Sequence, residues 1–219
     1  MSISKRTFLA ILLFLTSLFI FIYIADENVL EKEIAFDTRV MAFVAAHTTA
    51  LLKQIMLIIT FFGSSQFLLP IYILLVLFFI IKKNKAYAVD IAIVAISSTA
   101  IMYLLKQLFK RHRPLLPVFE TTDGYSFPSG HTFSSFIFCS ILAYLIWTSS
   151  AKLVWKYVAI VSLFLSSVTI GLSRIILNVH FATDVIAAFC LGIVCILLAF
   201  WVIKKLRKKN QAYHNLIDV

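Results

Sequence analysis

The chain alternates between long apolar runs and short polar segments, and this pattern constrains the fold more than any other feature of the sequence. A helix needs about 20 apolar residues to cross the hydrocarbon core of a bilayer. Six runs of 15 to 24 residues are candidates, and most of them end near basic residues. The predicted spans are residues 8–25, 67–81, 86–109, 131–147, 153–172 and 181–203.

The composition supports a membrane protein and argues against a soluble one. Hydrophobic residues make up 62% of the chain and charged residues 14%, with a mean hydropathy of +0.99. A soluble domain carries roughly a quarter charged residues. The net charge of +10 does not point to nucleic acid, because no basic helix or aromatic sheet motif accompanies it. Basic residues that flank membrane spans explain the charge better.

The remaining segments complete the predicted fold. We interpret residues 8–25 as an uncleaved span, because bulky residues stand where a signal peptidase site requires small ones. Residues 26–37 are acidic and polar, which favours a loop, and residues 47–62 are too short and polar for a span, which favours an interfacial helix. The expected fold is all-α: a polytopic membrane protein with six transmembrane helices, an interfacial helix between spans one and two, and a single domain over residues 1–219.

The distribution of basic residues predicts the orientation. Twelve of the 20 Lys and Arg residues fall on the side of the two termini and eight on the other side. Loops rich in Lys and Arg are retained in the cytoplasm. Both termini are therefore expected in the cytoplasm, which places the outer ends of spans three to six, with all the polar motifs, at the extracytoplasmic face.

The first motif at this face begins a helix. Pro128 is followed by Ser129, Gly130 and His131 at the start of the fourth span. Free backbone N–H groups and the helix dipole bind anions at such a position, and Gly130 allows the backbone to approach a phosphate closely. Taken alone, the motif is more typical of an ordinary helix cap after a proline.

Three cations form the second group of candidate site residues. Lys106, Arg113 and Arg174 all lie at the predicted outer face. Guanidinium groups match phosphoryl oxygens and keep their charge. Interfacial snorkelling is the alternative, and we assign Lys110 and Arg111 to it.

The third element is a histidine with a carboxylate four residues later. His180 and Asp184 share one helix face, so Asp184 can fix the tautomer of His180 and leave its other nitrogen free as a nucleophile. The same spacing is compatible with a structural pair or with half of a metal site. His131 is the candidate general acid for a departing oxygen.

Together these motifs resemble the type 2 phosphatidic acid phosphatase family of integral membrane lipid phosphatases. The family pattern is a Lys, six residues and Arg-Pro; then Pro-Ser-Gly-His; then Ser-Arg, five residues, His, three residues and Asp. The chain matches it from Lys106 to Arg113-Pro114, from Pro128 to His131, and from Ser173-Arg174 through His180 to Asp184. The motifs cover roughly the second half of the chain.

The resemblance implies roles for these residues. His180 would form a phosphohistidine, Asp184 would orient it, and His131 would protonate the leaving oxygen. The phosphate-binding set would be Lys106, Arg113, Ser129, Gly130, Ser173 and Arg174. Positioning and electrostatics carry most phosphoryl-transfer catalysis, so we expect no metal and no cofactor, and membrane lipids and a lipid phosphate as the partners.

The substrate is left open by the motifs, which bind phosphate and not the lipid tail. The outward site slightly favours undecaprenyl pyrophosphate over phosphatidylglycerophosphate or phosphatidic acid. Phosphotransfer to another acceptor would use the same phosphohistidine, and a vanadium haloperoxidase would share the anion site but is soluble. A lipid transporter or noncatalytic lipid-binding protein is the alternative from another class, although transporters hold polar residues near the bilayer midplane. The short chain is typical of bacteria.

Other residues carry no assigned chemistry. Cys139, Cys190 and Cys195 fall inside apolar runs without metal-ligand spacing, so we assign them to the core. The loop over residues 115–127 borders the motifs, and its role is open.

Overall fold

The computed structural model describes residues 4–30, 34–115 and 124–217, and every regular element in these ranges is helical. In chain order the elements are α1 (Lys5–Ile24), a π-helical segment (Ala25–Leu30), α2 (Ala35–His47), α3 (Ala50–Phe61), α4 (Ser65–Ile81), α5 (Lys85–Phe109), α6 (Gly130–Thr148), α7 (Leu153–Ile176) and α8 (Ala182–Ile217).

Six helical segments within the described ranges are long and apolar enough to cross a membrane, which confirms the all-α class and the number of candidate spans. They are Lys5–Val29, Ala50–Ile81, Lys85–Phe109, Gly130–Thr148, Leu153–Ile176 and Ala182–Arg207. Large apolar side chains such as Phe19, Ile81 and Trp155 point outward and are more than half exposed. In a protein with so many apolar segments, these side chains form the surface that faces lipid.

The segment after the first span is not the predicted loop. Ala25–Leu30 continues the first helix as a π-helix, and α2 begins at Ala35. Asp37, in the first turn of α2, is completely buried. The prediction was wrong because this carboxylate is directed into the protein and not toward water.

The predicted interfacial helix over residues 47–62 corresponds to α3, but α3 is joined to α4. Thr49 caps α3 and Ser64 caps α4, and together they form one 32-residue candidate span. Met56 of α3 is buried against Leu177 and Val179 beyond the end of α7. An interfacial position for α3 stays a prediction.

Helix α6 is central to the arrangement that positions the motifs. It packs against α7 and α8, while α1 runs along α8 and α4 along α5. Beneath the motifs, Phe21 of α1, Phe109 of α5 and Phe127 before α6 form an aromatic cluster with ring centroids 5.0–6.4 Å apart. This cluster ties the ends of three elements together directly below the polar residues.

Candidate active site

The polar motifs meet at one end of the helical bundle, as the sequence predicts. Lys106 lies in the last turn of α5, His131 in the first turn of α6, Arg174 in the last turn of α7 and Asp184 in the first turn of α8. His180 lies two residues before the start of α8 at Ala182. The four helix ends therefore surround one small polar region.

His180 and Asp184 face each other at the centre of this region. His180 is 1% exposed and Asp184 is fully buried, and the His180 Nδ1 atom lies 3.4 Å from Asp184 Oδ2. The His180 Nδ1 atom makes no hydrogen bond at this distance. Asp184 Oδ2 accepts from the Ser126 hydroxyl and from the Phe181 N–H (2.9 Å). Burial lowers the pKa of His180 to about 4, although Asp184 opposes the change. The imidazole is therefore neutral at pH 7, the state that a nucleophile requires.

The opposite nitrogen of His180 faces the cations. Arg113 Nη1 lies 3.3 Å from His180 Nε2 and donates to the Val179 carbonyl at 2.9 Å, while Arg113 Nε donates to the Gly124 carbonyl at 3.2 Å. Burial lowers the pKa of Arg113, against the attraction of Asp184, and its guanidinium remains charged at any ordinary pH. The nucleophilic candidate atom thus points at a fixed positive charge.

The other two predicted cations are held by neighbouring polar atoms. Lys106 Nζ donates to the Tyr125 carbonyl at 2.5 Å. Arg174 Nη1 donates to the Thr60 hydroxyl of α3 at 2.6 Å, and Arg174 is 3% exposed. Contacts of this kind fix the cations before any ligand arrives, which favours electrostatic preorganisation.

The start of α6 has the space that an anion needs. Ser129 precedes the helix, and its hydroxyl contacts the Thr132 hydroxyl at 2.9 Å instead of capping the backbone. A Cβ atom added to Gly130 would meet one neighbour within 4 Å, the Lys106 side chain at 3.7 Å. The first backbone N–H groups of α6 therefore lie beside Lys106, in the arrangement that binds anions at helix N-termini.

Ser173 and His131 are placed differently from each other. The Ser173 hydroxyl donates to the Ile170 carbonyl at 2.6 Å, so a contact from this hydroxyl to phosphate would replace that bond. His131 is partly buried, next to the turn between α3 and α4, where a Cβ atom added to Gly63 would lie 3.3 Å from the His131 carbonyl oxygen.

One ion-pair network was missed by the sequence analysis. Arg111, predicted to snorkel, is instead 9% exposed and bonds both Asp184 Oδ1 (2.6 Å) and Asp37 Oδ2 (2.7 Å). Asp37 in turn accepts from the Thr183 N–H (2.9 Å) and hydroxyl (2.5 Å). The snorkelling prediction was wrong for Arg111 because two buried carboxylates draw it inward. No local signal in the sequence separates Asp37 from the other acidic residues of the 26–37 segment.

The charges of the region favour an anionic ligand. Arg111 is occupied by two carboxylates, whereas Lys106 and Arg113 have no carboxylate partner among the described ion pairs. Within the described ranges, no three His, Cys, Asp or Glu side chains converge to hold a metal ion. Independence from metals stays a prediction.

Comparison with known proteins gives one family. The model of the PAP2 superfamily matches residues 87–208. Among curated proteins, phosphatidylglycerophosphatase B of Bacillus subtilis is 26% identical over 75% of this chain and 79% of its own length. An undecaprenyl-diphosphatase of Sulfolobus acidocaldarius is 25% identical over 74% of this chain and 76% of its own length.

Solved structures give the same result. A crystal structure of a transmembrane PAP2-type phosphatidylglycerolphosphate phosphatase from Bacillus subtilis superposes with a TM-score of 0.74 at 27% identity, covering 91% of this chain and 96% of that one. The crystal structure of Aquifex aeolicus LpxE superposes with a TM-score of 0.61 at 25% identity, covering 77% and 96%. The family model matches more than half of the chain, and the chain therefore belongs to the PAP2 superfamily, as a multi-pass membrane enzyme that hydrolyses lipid phosphates.

Proposed function

We propose that this enzyme removes the terminal phosphate of a membrane lipid through a phosphohistidine at His180, without a divalent metal. The proposal depends on the different surroundings of the two nitrogens of the His180 ring: Nδ1 faces Asp184, and Nε2 faces Arg113. This geometry supports a neutral imidazole that attacks phosphorus from Nε2.

The reaction proceeds in two steps, transfer of the phosphoryl group to His180 and then hydrolysis of the phosphohistidine. His180 Nε2 forms a bond to phosphorus as the bond to the leaving oxygen breaks, and that oxygen takes a proton from His131. Asp184 stabilises the positive charge that develops on His180. Water then attacks phosphorus and gives a proton to His131, while the bond from phosphorus to His180 Nε2 breaks, which releases inorganic phosphate and free His180.

The cations stabilise charge in both steps. Lys106, Arg113 and Arg174 surround the equatorial oxygens together with the Ser129 and Gly130 end of α6. These groups are fixed by protein contacts, so little reorganisation is needed when the charge redistributes. We assign to them the electrostatic role that metal ions fill in other phosphoryl-transfer enzymes.

The substrate class is a membrane lipid that carries a terminal phosphomonoester or a pyrophosphate. Undecaprenyl pyrophosphate is our first candidate, because the site is expected at the outer face. Phosphatidylglycerophosphate is the second, favoured by the similarity to Bacillus subtilis phosphatidylglycerophosphatase in both sequence and structure. Phosphatidic acid is a third and would leave a lipid without phosphate.

Phosphate release by the purified enzyme in detergent tests this proposal. We expect one of undecaprenyl pyrophosphate, phosphatidylglycerophosphate, phosphatidic acid and lysophosphatidic acid to be strongly preferred, with activity retained in excess EDTA. His180→Ala should lower kcat by at least about 10⁴-fold, whereas His47→Ala, which removes an exposed histidine, should not change it. Loss of activity in EDTA with recovery in magnesium would contradict the metal-free mechanism, and an active His180→Ala enzyme would contradict the phosphohistidine.

We also propose that both termini are cytoplasmic and that the active site is extracytoplasmic. Lys82, Lys83 and Lys85 lie at the end of the bundle opposite to the site, whereas exposed Lys110 lies beside it. In intact cells an impermeant thiol reagent should label Lys110→Cys and spare Lys83→Cys. The reverse labelling would invert the orientation.

A further inference from the structure

The Asp184 carboxylate is held at both oxygens by groups outside the family motifs. Arg111 bonds Oδ1 at 2.6 Å, and Oδ2 accepts from the Ser126 hydroxyl and the Phe181 N–H. Oδ1 cannot turn toward His180 without losing the bond to Arg111. This arrangement therefore determines which oxygen faces the histidine.

Arg111 is in turn fixed by Asp37. Its Nη2 atom bonds Asp37 Oδ2 at 2.7 Å, its Nη1 atom also reaches the Thr183 hydroxyl at 2.8 Å, and the guanidinium lies 4.2 Å from the Phe181 ring centroid. The planar fork of arginine can serve two carboxylates in this way, which the point charge of lysine cannot reproduce.

Asp37 belongs to α2, which precedes the region that the family model matches. Its side chain is completely buried and bonds the backbone and the hydroxyl of Thr183, directly before Asp184. The segment between the first two spans is thereby attached to the first turn of α8. Asp37, Arg111 and Asp184 form a continuous chain of ionic contacts that ends at His180.

We propose that Asp37 and Arg111 are positioning residues that act through Asp184 to set the orientation and basicity of His180. This inference rests on the roles proposed above for His180 and Asp184. The mechanism is the sharing of one guanidinium between two buried carboxylates. While Asp37 takes part of the charge of Arg111, Asp184 keeps enough negative charge to support a positive His180 during phosphoryl transfer.

Asp37→Asn is the most direct test. Without the Asp37 charge, Arg111 is left to neutralise Asp184 alone, and the attachment of α2 to α8 is weakened. Because misplacement of a reacting group by about 1 Å costs on the order of 10²-fold in rate, we expect kcat to fall by about that factor. KM should stay within about threefold, since Lys106, Arg113 and Arg174 are unaltered.

The pH profile separates positioning from a purely structural role. With Asp184 more fully neutralised, His180 becomes harder to protonate, so the acid limb of kcat/KM should move to lower pH in Asp37→Asn. The ionisation of the lipid substrate is common to both enzymes and cancels in this comparison. The charged and titratable groups that face His180 and Asp184 are Asp37 from α2, Lys106 from α5, Arg111 and Arg113 after α5, His131 from α6 and Arg174 from α7.

A matched control is available at the other end of the bundle. Asp90→Asn also removes an aspartate that pairs with an arginine, Arg207, but without any described link to His180. It should leave kcat within about twofold and the pH profile unshifted. Either of two results for Asp37→Asn overturns the proposal. One is a kcat within threefold of the wild type; the other is a fall in activity that equals the fall in the amount of folded protein, with an unshifted pH profile.

A second variant decides the question if Asp37→Asn does not give monodisperse protein. Thr183→Val keeps both charges and removes the hydroxyl that bonds Asp37 and Arg111. We expect about a tenfold lower kcat, as for other outer-shell partners, with the acid limb shifted, and an unchanged kcat would overturn the proposal. His180→Ala, measured in parallel, distinguishes failure of the proposed nucleophile from failure of the positioning role. An active His180→Ala enzyme would refute His180 as the nucleophile. An inactive His180→Ala enzyme together with a normal Asp37→Asn enzyme would refute the positioning role alone.

Discussion

Each end of the helical bundle contains an aspartate–arginine pair, and the two pairs differ in what surrounds them. At the motif end, Arg111 lies between Asp37 and Asp184, with side-chain exposures of 8% for the arginine and 0% for both carboxylates. At the opposite end, Arg207 pairs with Asp90, with exposures of 40% and 18%.

The partners of the two arginines differ as well. The carboxylates around Arg111 accept further hydrogen bonds from Thr183, Ser126 and Phe181. Arg207 bonds Asp90 and lies 5.4 Å from the Tyr87 ring centroid, beside a cavity of about 400 Å³. A buried pair is worth its desolvation cost only when its remaining polar atoms are satisfied. The comparison teaches that residue type does not define the role of an ion pair, whereas burial and additional hydrogen bonds do.

Removal of the arginine should separate the two ends most strongly. Arg111→Met leaves two buried carboxylates without their cation, and breaking such a pair costs about 3–5 kcal/mol of unfolding free energy. Arg207→Met breaks a pair that is partly exposed, and partly exposed pairs contribute about 1 kcal/mol or less. Unfolding of both variants and the wild type, followed in one detergent at pH 7, measures the difference.

A double variant checks the cause of this difference. If unpaired carboxylate charge is what destabilises Arg111→Met, then adding Asp37→Asn removes part of that charge and should recover part of the stability. The two effects are then non-additive, as expected for residues in direct contact. Equal losses for Arg111→Met and Arg207→Met, or additive effects of Arg111→Met and Asp37→Asn, would contradict this account of the motif end.

The apolar spans and the motifs at their ends were predictable because both are local in sequence. Hydropathy sums along a single helix, so the predicted limits 86–109 and 131–147 differ by at most one residue at each end from Lys85–Phe109 and Gly130–Thr148. The positions of the motif residues were also predictable, because their spacing along the chain places them at helix ends. His180 and Asp184, four residues apart, needed no tertiary information to be paired.

The missed features depend on contacts between distant segments. Lys110 and Arg111 are adjacent basic residues with the same local signal, yet Lys110 is exposed and Arg111 is buried. Lys110 has a left-handed backbone (φ 47°) that ends α5, and Arg111 follows that turn toward Asp37. Its partner is 74 positions away in the chain, so no periodicity or spacing rule reports the contact.

The packing of α3 against the end of α7 was missed for a similar reason. Lys53 and Gln54 made the segment look too polar to be part of a span, but burial of Met56 and Thr60 against the α7 end gives α3 a protein-facing side. A helix with such a partner tolerates more polar residues than a lipid-facing helix does.

The dependence of stability on pH provides the smaller and more specific test of the comparison. The pKa of His180 is lowered by burial from 6.5 to about 4, so between these pH values the unfolded chain binds a proton at this histidine that the native protein does not bind. This contribution to the free energy of unfolding is fully present above pH 6.5 and is lost as the pH falls toward 4, at a cost of about 3 kcal/mol.

His180→Gln, whose side chain does not titrate, should therefore lose less stability than the wild type over this interval. His47→Gln is the matched control, because His47 is exposed and bonds only its own helix at Phe43, and it should follow the wild type. Asp90→Asn should follow the wild type too, since neither partner of the pair at that end is a histidine.

The thermal midpoints of the four proteins, measured at several pH values from 7 to 4.5, give the result directly. A His180→Gln protein with the same pH dependence as the wild type would mean that His180 is not held neutral by the motif end, and the difference between the two ends would then concern charge pairing alone.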